Sequence, residues 1–287
     1  MSKFDKEYLK LCKNILENGI LVKNRTGIDS IKIPSYTFSF DLSDEFPILT
    51  TKQVFYKNAI TEMLWIYQAQ SNDVRWLWER DNHIWDEWMI DSSGYWKSSS
   101  ENKYFGKEFS YTIGTAYGWI VDRYKLVDKL IDKLKNNPSD RRMIMSLWQD
   151  EFLPTAVLPS CVWSSEWDVT DGKLNAFVHQ RSADVPLGLP FNITQYAILL
   201  SMIAHSTNLE VGRLDWSIKD AHIYVNQIDG IKKQIERGEL FEDLPAPRLW
   251  LNPLVKDFYE FDNSKELKDI KVLDYKHYGK ISFPIAR

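Results

Sequence analysis

Two runs of alternating residues on either side of Asp171-Gly172 constrain the fold of this 287-residue chain most strongly. Residues 161–169 place a cysteine, two tryptophans and a valine on one parity. Residues 173–180 alternate again and are rich in β-branched and aromatic types. Because Asp and Gly tolerate the left-handed conformations of a tight turn, the pattern predicts a β-hairpin.

The predicted hairpin gives Cys161 a candidate chemical role. Antiparallel pairing about the turn predicts that Cys161 lies opposite Ser182 and diagonal to Arg181. A thiol reacts as the thiolate, and a neighbouring guanidinium lowers the pKa of a thiol. The alternative interpretation is a structural cysteine, since free cysteines are among the most buried residues.

Composition indicates a globular protein without extended nucleic-acid binding. Hydrophobic residues make up 44% and charged residues 26% of the chain, and the net charge is −4. The N-terminal segment lacks the apolar core of a secretory signal, and no stretch approaches the ~20 apolar residues of a membrane span. The only cysteines are Cys12 and Cys161, which favours a reducing, cytoplasmic location over a disulfide framework. An anionic ligand would therefore require a local cluster of arginines.

No internal repeat or linker interrupts the chain, so we predict one domain over residues 1–287. Apolar periodicity predicts helices at 4–18, 54–70, 122–136, 193–207 and 222–237, and strands at 31–40, with a bend at Pro34, and at 142–148. Residues 91–111 are polar and are predicted to form an inserted surface loop. Without a regular βαβ alternation, the order of elements favours an α+β fold over a doubly wound one.

Glu62 is the only charged residue between positions 59 and 69 of a predicted helix. Desolvation disfavours a carboxylate, so a buried Glu62 should have a raised pKa. The alternative is a surface glutamate on a partly solvated helix face.

Four arginines lie in segments with loop signals: Arg25, Arg141, Arg142 and Arg181. Guanidinium groups match the geometry of phosphate. Taken singly, an arginine of this kind is more often a solvated surface residue.

Asn192 is expected at the N-terminus of the buried helix, where it could cap the helix or bind a ligand. Its amide offers an acceptor and a donor, which suits a uracil-like edge. His222 and Tyr224 are expected to open the next helix, and a histidine there is commonly structural.

Several motifs occur together in a fixed order along residues 5–287. They are Asn24-Arg25-Thr26-Gly27, Thr50-Thr51-Lys52, Glu62-Met63-Leu64-Trp65, Ile84-Trp85-Asp86-Glu87-Trp88, Ala116-Tyr117-Gly118, Ser139-Asp140-Arg141-Arg142, Pro159-Ser160-Cys161, Gln180-Arg181-Ser182-Ala183-Asp184, Leu187-Gly188-Leu189-Pro190-Phe191-Asn192 and Asp220-Ala221-His222-Ile223-Tyr224. In this combination the chain resembles the thymidylate synthase family.

The resemblance implies a single α+β domain with a large mixed β-sheet flanked by helices, whose sheets pack at a homodimer interface. It implies the reductive methylation of dUMP to dTMP. The co-substrate would be 5,10-methylenetetrahydrofolate, which serves as one-carbon donor and reductant and leaves as dihydrofolate. No metal is implied.

The resemblance also implies roles for individual catalytic residues. Cys161 would attack C6 of uracil and form a covalent intermediate. Arg181 would serve the thiolate and the phosphate, and Asn192 would hold the pyrimidine edge. Glu62 would organise the water network that moves protons at O4 and at the folate nitrogen. Tyr117 would position the water that removes the C5 proton.

The remaining implied contacts concern the two substrates. The substrate-binding set is Arg25, Arg141, Arg142, Arg181, Ser182, Asp184, Asn192, His222 and Tyr224. Within it, Arg141 and Arg142 would come from the partner subunit, and His222 and Tyr224 would bind the 3′-hydroxyl. The folate-binding set is Lys52, Ile84, Trp85, Trp88, Asp184, Leu187, Gly188, Phe191 and Ala286. The C-terminus would close over the site.

Three positions depart from common family patterns. Val162 and Phe55 stand where many members carry histidine, and Arg287 ends the chain where an aliphatic residue is commoner. Val162 and Phe55 remove polar groups near the site, and Arg287 changes the contact by which the C-terminus would close over it.

Three other functions compete with this interpretation. The first is a dUMP hydroxymethylase of the same fold; the cytosine-specific branch of such hydroxymethylases would carry Asp at position 192, so Asn192 favours dUMP. Trp85, expected to shield the methylene unit from water, favours reduction over hydration. A non-catalytic nucleotide- or RNA-binding relative would not need Cys161. A Cys–His hydrolase using His179 or His222 is disfavoured, and His179 is predicted to lie opposite position 164, about three residues along the hairpin from Cys161.

Overall fold

The computed structural model describes residues 1–24, 26–98 and 101–286. Within these ranges the helices are α1 (Lys3–Asn18), α2 (Tyr56–Met63), α3 (Arg75–Trp78), α4 (Gly118–Tyr124), α5 (Leu126–Asn136), α6 (Gly188–Ser206) and α7 (Ile228–Leu240). The strands are β1 (Ile20–Val22), β2 (Ser30–Asp41), β3 (Tyr95–Lys97), β4 (Asn102–Tyr104), β5 (Met143–Ser146), β6 (Val162–Thr170), β7 (Lys173–Gln180), β8 (Ala183–Asp184), β9 (Glu210–Tyr224), β10 (Arg248–Leu251) and β11 (Ile270–Leu273).

A large mixed sheet organises the chain. Its strands follow the order β1-β2-β9-β7-β6-β5, and the short β8 pairs with the end of β9. Strands β7 and β8 run parallel to β9, whereas the other neighbours are antiparallel. Helix α6 connects β8 to β9 and packs against both β9 and α2. The predicted α+β architecture, with helices flanking a mixed sheet, is confirmed.

The predicted hairpin is present, but its register at Cys161 differs by one residue. Asp171 and Gly172 both have positive φ, as the predicted turn requires. Near the turn the strands pair as expected, but the register shifts between Val162 and Ser164. The extra residue forms a β-bulge. As a result the Arg181 N–H, and not Ser182, bonds to the carbonyl of Cys161 at 2.9 Å.

The helices near the site keep their predicted type but change their bounds. The helix predicted at 193–207 begins at Gly188, because Leu189 and Pro190 are also buried in its first turn. Asn192 therefore lies inside α6 and is not its cap. The helix predicted at 54–70 is α2 followed by a π-helical turn over Leu64–Gln68, an irregularity frequent at functional sites.

Two predicted helices are wrong in part. The helix at 122–136 is divided into α4 and α5 at Lys125, whose φ of 51° is left-handed. Positions 222 to 224 do not open a helix, because they end β9 and pair with Ser30 to Lys32 of β2. Helix α7 then begins at Ile228 and continues past Gly238 to Leu240.

The remaining predicted elements keep their positions. The strand predicted at 31–40 is β2, and the one at 142–148 is the shorter β5. Ladder pairs flank Pro34 on both sides in one register, so β2 runs through this residue.

The segment 91–111 contains the β3-β4 hairpin, and its Trp96 is nearly buried. That the segment is an insertion stays a prediction. No helix in the described ranges is both long and apolar enough to span a bilayer.

Candidate active site

A cavity of about 630 Å³ lies where the ends of β7, β8 and β9 meet the start of α6. The sheet places it there, because the carboxyl ends of parallel strands share one edge. Many of the sequence-predicted site residues line this cavity, namely Trp88, Cys161, Arg181, Ser182, Asp184, Leu187, Gly188, Asn192, His222, Tyr224 and Ala286.

Cys161 lies beside a fixed positive charge. Its Sγ is 3.7 Å from Nη2 of Arg181. The guanidinium is held in place by backbone carbonyls, donating through Nε to Ser160 at 3.0 Å and through Nη2 to Pro159 at 2.6 Å. An immobilised cation at this distance stabilises negative charge on sulfur. Because Cys161 is half-buried and faces the cavity, the structural interpretation of this thiol is disfavoured.

Tyr117 contacts the backbone of the cysteine. Its hydroxyl accepts a hydrogen bond from the Cys161 N–H at 3.1 Å. Burial raises the pKa of Tyr117 well above its usual value, so the phenol stays protonated and can donate. Its φ of 48° and ψ of −108° place this non-glycine residue outside the ordinary regions, and such strain clusters at functional sites.

Glu62 lies in a smaller cavity of about 140 Å³ that shares Cys161 and Asn192 with the large one. Oε1 accepts from the indole N–H of Trp85 at 2.7 Å, and Oε2 accepts from the Gln195 amide. Desolvation raises the pKa of Glu62 to about 7, and the two hydrogen bonds oppose that rise. The predicted raised pKa is confirmed, and Glu62 can exchange a proton near neutral pH.

Asn192 projects from α6 between two glutamines. Its Oδ1 accepts from Nε2 of Gln180 at 3.1 Å, and its Nδ2 donates to Oε1 of Gln195 at 3.3 Å. Gln180 in turn accepts from the indole of Trp216 at 3.0 Å. Asn192 therefore presents an oriented amide to the cavity.

His222 and Tyr224 stand at the end of β9 with ring centroids 5.0 Å apart. Nδ1 of His222 lies 3.0 Å from Oδ1 of Asp220, and the other oxygen of Asp220 pairs with Lys32 at 2.5 Å. The bonds to His222 and Lys32 lower the pKa of Asp220 to about 2. Because a carboxylate only accepts, the proton of a neutral His222 is on Nδ1, and Nε2 is the acceptor.

Asp184 and the C-terminal segment share one partner. Nε2 of Gln227 donates to Asp184 at 3.0 Å and to the carbonyl of Pro284 at 3.1 Å. Desolvation raises the pKa of Asp184. This arrangement attaches the segment that carries Ile285 and Ala286 to the cavity wall.

The remaining predicted folate residues occupy two environments. The rings of Trp85 and Trp88 are 5.5 Å apart, and Trp88 faces the large cavity. Lys52 is buried, donates to the carbonyl of Pro186 and lies 4.7 Å from the ring of Phe283. Burial lowers the pKa of Lys52 to about 8. Lys52, Ile84 and Phe191 do not belong to the wall of the large cavity among the described residues.

Of the four predicted phosphate-binding arginines, Arg181 lines the large cavity. Arg141 and Arg142 are exposed just before β5, and Arg142 pairs with Asp140 at 2.9 Å. Neither lines the cavity within the described part of this chain. Arg25 lies outside the described residues.

The three departures from family patterns also differ in placement. Val162 is buried in the wall of the small cavity. Phe55 is 42% exposed, and its ring centroid lies 5.7 Å from Nζ of Lys280. Arg287 lies outside the described residues.

Sequence reasoning missed Lys32, Asp220, Gln180, Gln195 and Trp96. Asp220 and Gln180 belong to motifs that carry His222 and Arg181, and these neighbours are the signal that could have identified them. Lys32 and Gln195 depend on strand pairing and helix packing, for which the local sequence gives no signal.

The chain is similar over its whole length to proteins of one family. The family model described as thymidylate synthase matches residues 6–287. A thymidylate synthase of Clostridium beijerinckii is 45% identical over 286 residues, and thymidylate synthase 1 of Bacillus subtilis is 41% identical over 305 residues. Both alignments cover 100% of each chain. The solved structure of the thermostable thymidylate synthase A from Bacillus subtilis superposes with a TM-score of 0.85 at 39% identity, covering 99% of each chain.

Proposed function

Because the chain belongs to the thymidylate synthase family, we propose that the cavity around Cys161 carries out the reductive methylation of dUMP to dTMP. The family assignment makes the protein a methyltransferase. The observation that supports the site assignment is the immobilised guanidinium of Arg181 at 3.7 Å from Sγ of Cys161. A nucleophile of this kind is what addition to a pyrimidine ring requires.

The cavity offers each part of dUMP a suitable partner. Arg181 and Ser182, with Arg25, would bind the 5′-phosphate. Asn192 would present Oδ1 to N3–H and Nδ2 to O4 of uracil. Nε2 of His222 would accept a hydrogen bond from the 3′-hydroxyl, beside Tyr224.

The chemistry begins with attack of Sγ on C6. The new S–C6 bond pushes the C5–C6 electron pair toward C4, and the charge that develops on O4 is met by the Asn192 amide and, through water, by Glu62. C5 thereby becomes the nucleophile. Later, water held by Tyr117 would remove the C5 proton, and reversal of the first step would release the sulfur.

The co-substrate residues fit a flat aromatic ligand with a polar edge. Trp88, Leu187 and Ala286 line the cavity, and Asp184 provides a carboxyl for a pterin-like edge. When bound, 5,10-methylenetetrahydrofolate supplies the one-carbon unit and the hydride. Trp85 would exclude water from the reacting carbon, and the C-terminal segment held by Gln227 would close the cavity.

A homodimer would complete the site. The exposed face of the sheet carries Ile144, Trp163 and Phe177, and the ring of His179 lies 4.5 Å from that of Phe177. Such an apolar sheet face favours burial against a second copy of the chain. Arg141 and Arg142 directly precede β5, whose second residue is Ile144, so the partner's pair would lie near the phosphate of dUMP. The cytoplasmic location stays a prediction.

The direct test is incubation of the protein with dUMP and 5,10-methylenetetrahydrofolate. We expect dTMP and dihydrofolate in equal amounts. A hydroxymethylated nucleotide formed without dihydrofolate would contradict the proposal and point to hydration of the methylene unit.

A further inference from the structure

One continuous chain of hydrogen bonds crosses the pyrimidine side of the cavity, and its direction is fixed at one end. An indole N–H can only donate, so the atom of Gln180 that faces Trp216 at 3.0 Å must be Oε1. The amide nitrogen of Gln180 then points to Asn192, whose facing atom must be Oδ1. The assignment of these amide atoms therefore follows from the network.

The same direction continues through Gln195 to Glu62. Nδ2 of Asn192 donates to Oε1 of Gln195, and Nε2 of Gln195 donates to Glu62. The opposite oxygen of Glu62 accepts from Trp85, which is again a donor only. An ionised Glu62 only accepts, so this end requires the same polarity as the Trp216 end. Gln195 is the buried residue that links the Asn192 amide to the carboxyl of Glu62.

This polarity matches uracil and opposes cytosine. Asn192 keeps one acceptor position on Oδ1 and one hydrogen on Nδ2. Uracil offers N3–H and O4 to these groups, whereas cytosine offers an acceptor at N3 and a donor at N4. Binding cytosine would require the amide of Asn192 to rotate, which would break the bonds to Gln180 and to Gln195 together.

We propose that Gln195 is a specificity-determining and positioning residue that locks Asn192 in the orientation selecting dUMP over dCMP and holds the carboxyl of Glu62 in place. The inference rests on the proposed function of the cavity. Its two parts use different ends of the Gln195 amide, the acceptor toward Asn192 and the donor toward Glu62.

The donor end acts on the proton of Glu62. The other titratable groups that line its cavity are Tyr67 and Tyr196, which hydrogen-bond to each other, together with Tyr117 and Cys161. The Gln195 amide lowers the pKa of Glu62 against desolvation. Removing that donor should therefore raise the pKa of Glu62.

Two substitutions separate the two ends. Gln195→Met removes both the acceptor toward Asn192 and the donor toward Glu62. Because one hydrogen bond that orients Asn192 is lost, the ratio of the dissociation constant of dCMP to that of dUMP should fall about three- to tenfold. Gln195→Glu keeps an oxygen toward Asn192, so this ratio should stay near that of the wild type. In both variants the inflection that Glu62 contributes to the pH profile of kcat/KM should move to higher pH. In Gln195→Met the cause is the lost donor, and in Gln195→Glu it is that two neighbouring carboxyls share one proton.

Binding measured by calorimetry keeps the test independent of turnover. Gln68→Met is the matched control, since Gln68 is another buried glutamine and its side chain bonds to Phe258, Phe261 and Asn263, which line neither cavity among the described residues. It should leave the binding ratio and the pH profile unchanged. An unchanged ratio in Gln195→Met would overturn the specificity role, and an unmoved inflection in both Gln195 variants would overturn the positioning role. Failure of the wild-type protein to form dihydrofolate would count against the proposed function alone.

Discussion

Glu62 and Arg181 are held in the site by opposite means. Arg181 is fixed by two backbone carbonyls, which leaves its positive charge intact beside Cys161. Glu62 is buried and accepts from two N–H donors, and its pKa of about 7 means that the carboxyl is partly protonated near neutral pH. One residue therefore supplies a permanent field, and the other supplies an exchangeable proton.

The raised pKa of Glu62 should make folding stability depend on pH. Its folded pKa of about 7 lies above the ordinary 4.5, so its contribution is fully present below pH 4.5 and is lost as the pH rises through 7. Relative to Glu62→Gln, the wild-type unfolding free energy should fall by on the order of 3 kcal/mol between about pH 5 and about pH 8. Urea unfolding at the two pH values measures this difference. A difference that is constant with pH would contradict the burial of an ionisable Glu62.

Asp220 should act on substrate binding through His222. Asp220→Ala removes the acceptor that fixes Nδ1–H, so the KM for dUMP should rise about tenfold with little change in kcat. The effect should vanish for the 2′,3′-dideoxy analogue, which has no 3′-hydroxyl. An equal loss with both substrates would show that Asp220 only supports the fold.

Single site residues could be predicted where their charge differed from that of their neighbours in sequence. Glu62 could be identified because it is a lone charge in an apolar helix. Asp220 and Lys32 could not be paired from sequence, because they meet across β2 and β9, 188 residues apart.

At the scale of elements, a bulge decides which side chain meets the sulfur. The alternation of β6 and β7 predicted the hairpin and its turn, but period-two counting has no means of detecting the register shift between Val162 and Ser164. Cys161 therefore pairs through its backbone with Arg181 instead of Ser182. His222 was misassigned for a related reason, because an apolar stripe from 224 to 235 suited a helix while pairing with β2 extended the strand.

The Asp171-Gly172 turn should contribute to stability without affecting the site. Gly172 has a φ of 74° and space around its Cα, so Gly172→Ala introduces backbone strain without a clash. We expect a loss of ~1–2 kcal/mol in unfolding free energy with kcat and KM unchanged. Asp171→Asn, which tolerates the same conformation, is the control and should be neutral. A loss of activity in folded Gly172→Ala would indicate that the turn also sets the register at Cys161.

At the scale of the whole molecule, the proposed site needs a second copy of the chain. Arg141 and Arg142 are exposed and do not reach the cavity, while an apolar face of the sheet remains uncovered. Only the family resemblance related the arginine pair to a partner subunit, because the residues of one chain give no signal for contacts with a second copy.

Mixing two inactive variants tests the shared site. Arg142→Ala lacks the donated arginine, and Cys161→Ala lacks the nucleophile. A mixed dimer would contain one site with both residues intact, so refolding the two together should restore roughly a quarter of wild-type activity. Mixing without exchange of subunits is the control and should restore none. No recovery after demonstrated exchange would contradict the donation of Arg142 by the partner.

The most direct test of the whole account is the mass of the protein after incubation with 5-fluoro-dUMP and 5,10-methylenetetrahydrofolate. Fluorine at C5 cannot leave as a proton does, so the bond from sulfur to C6 should persist. We predict that the mass of the protein increases by the sum of the two ligand masses. The adduct should lie on the peptide that contains Cys161, and the Cys161→Ala variant should form none. An unmodified protein, or an adduct on Cys12, would contradict it.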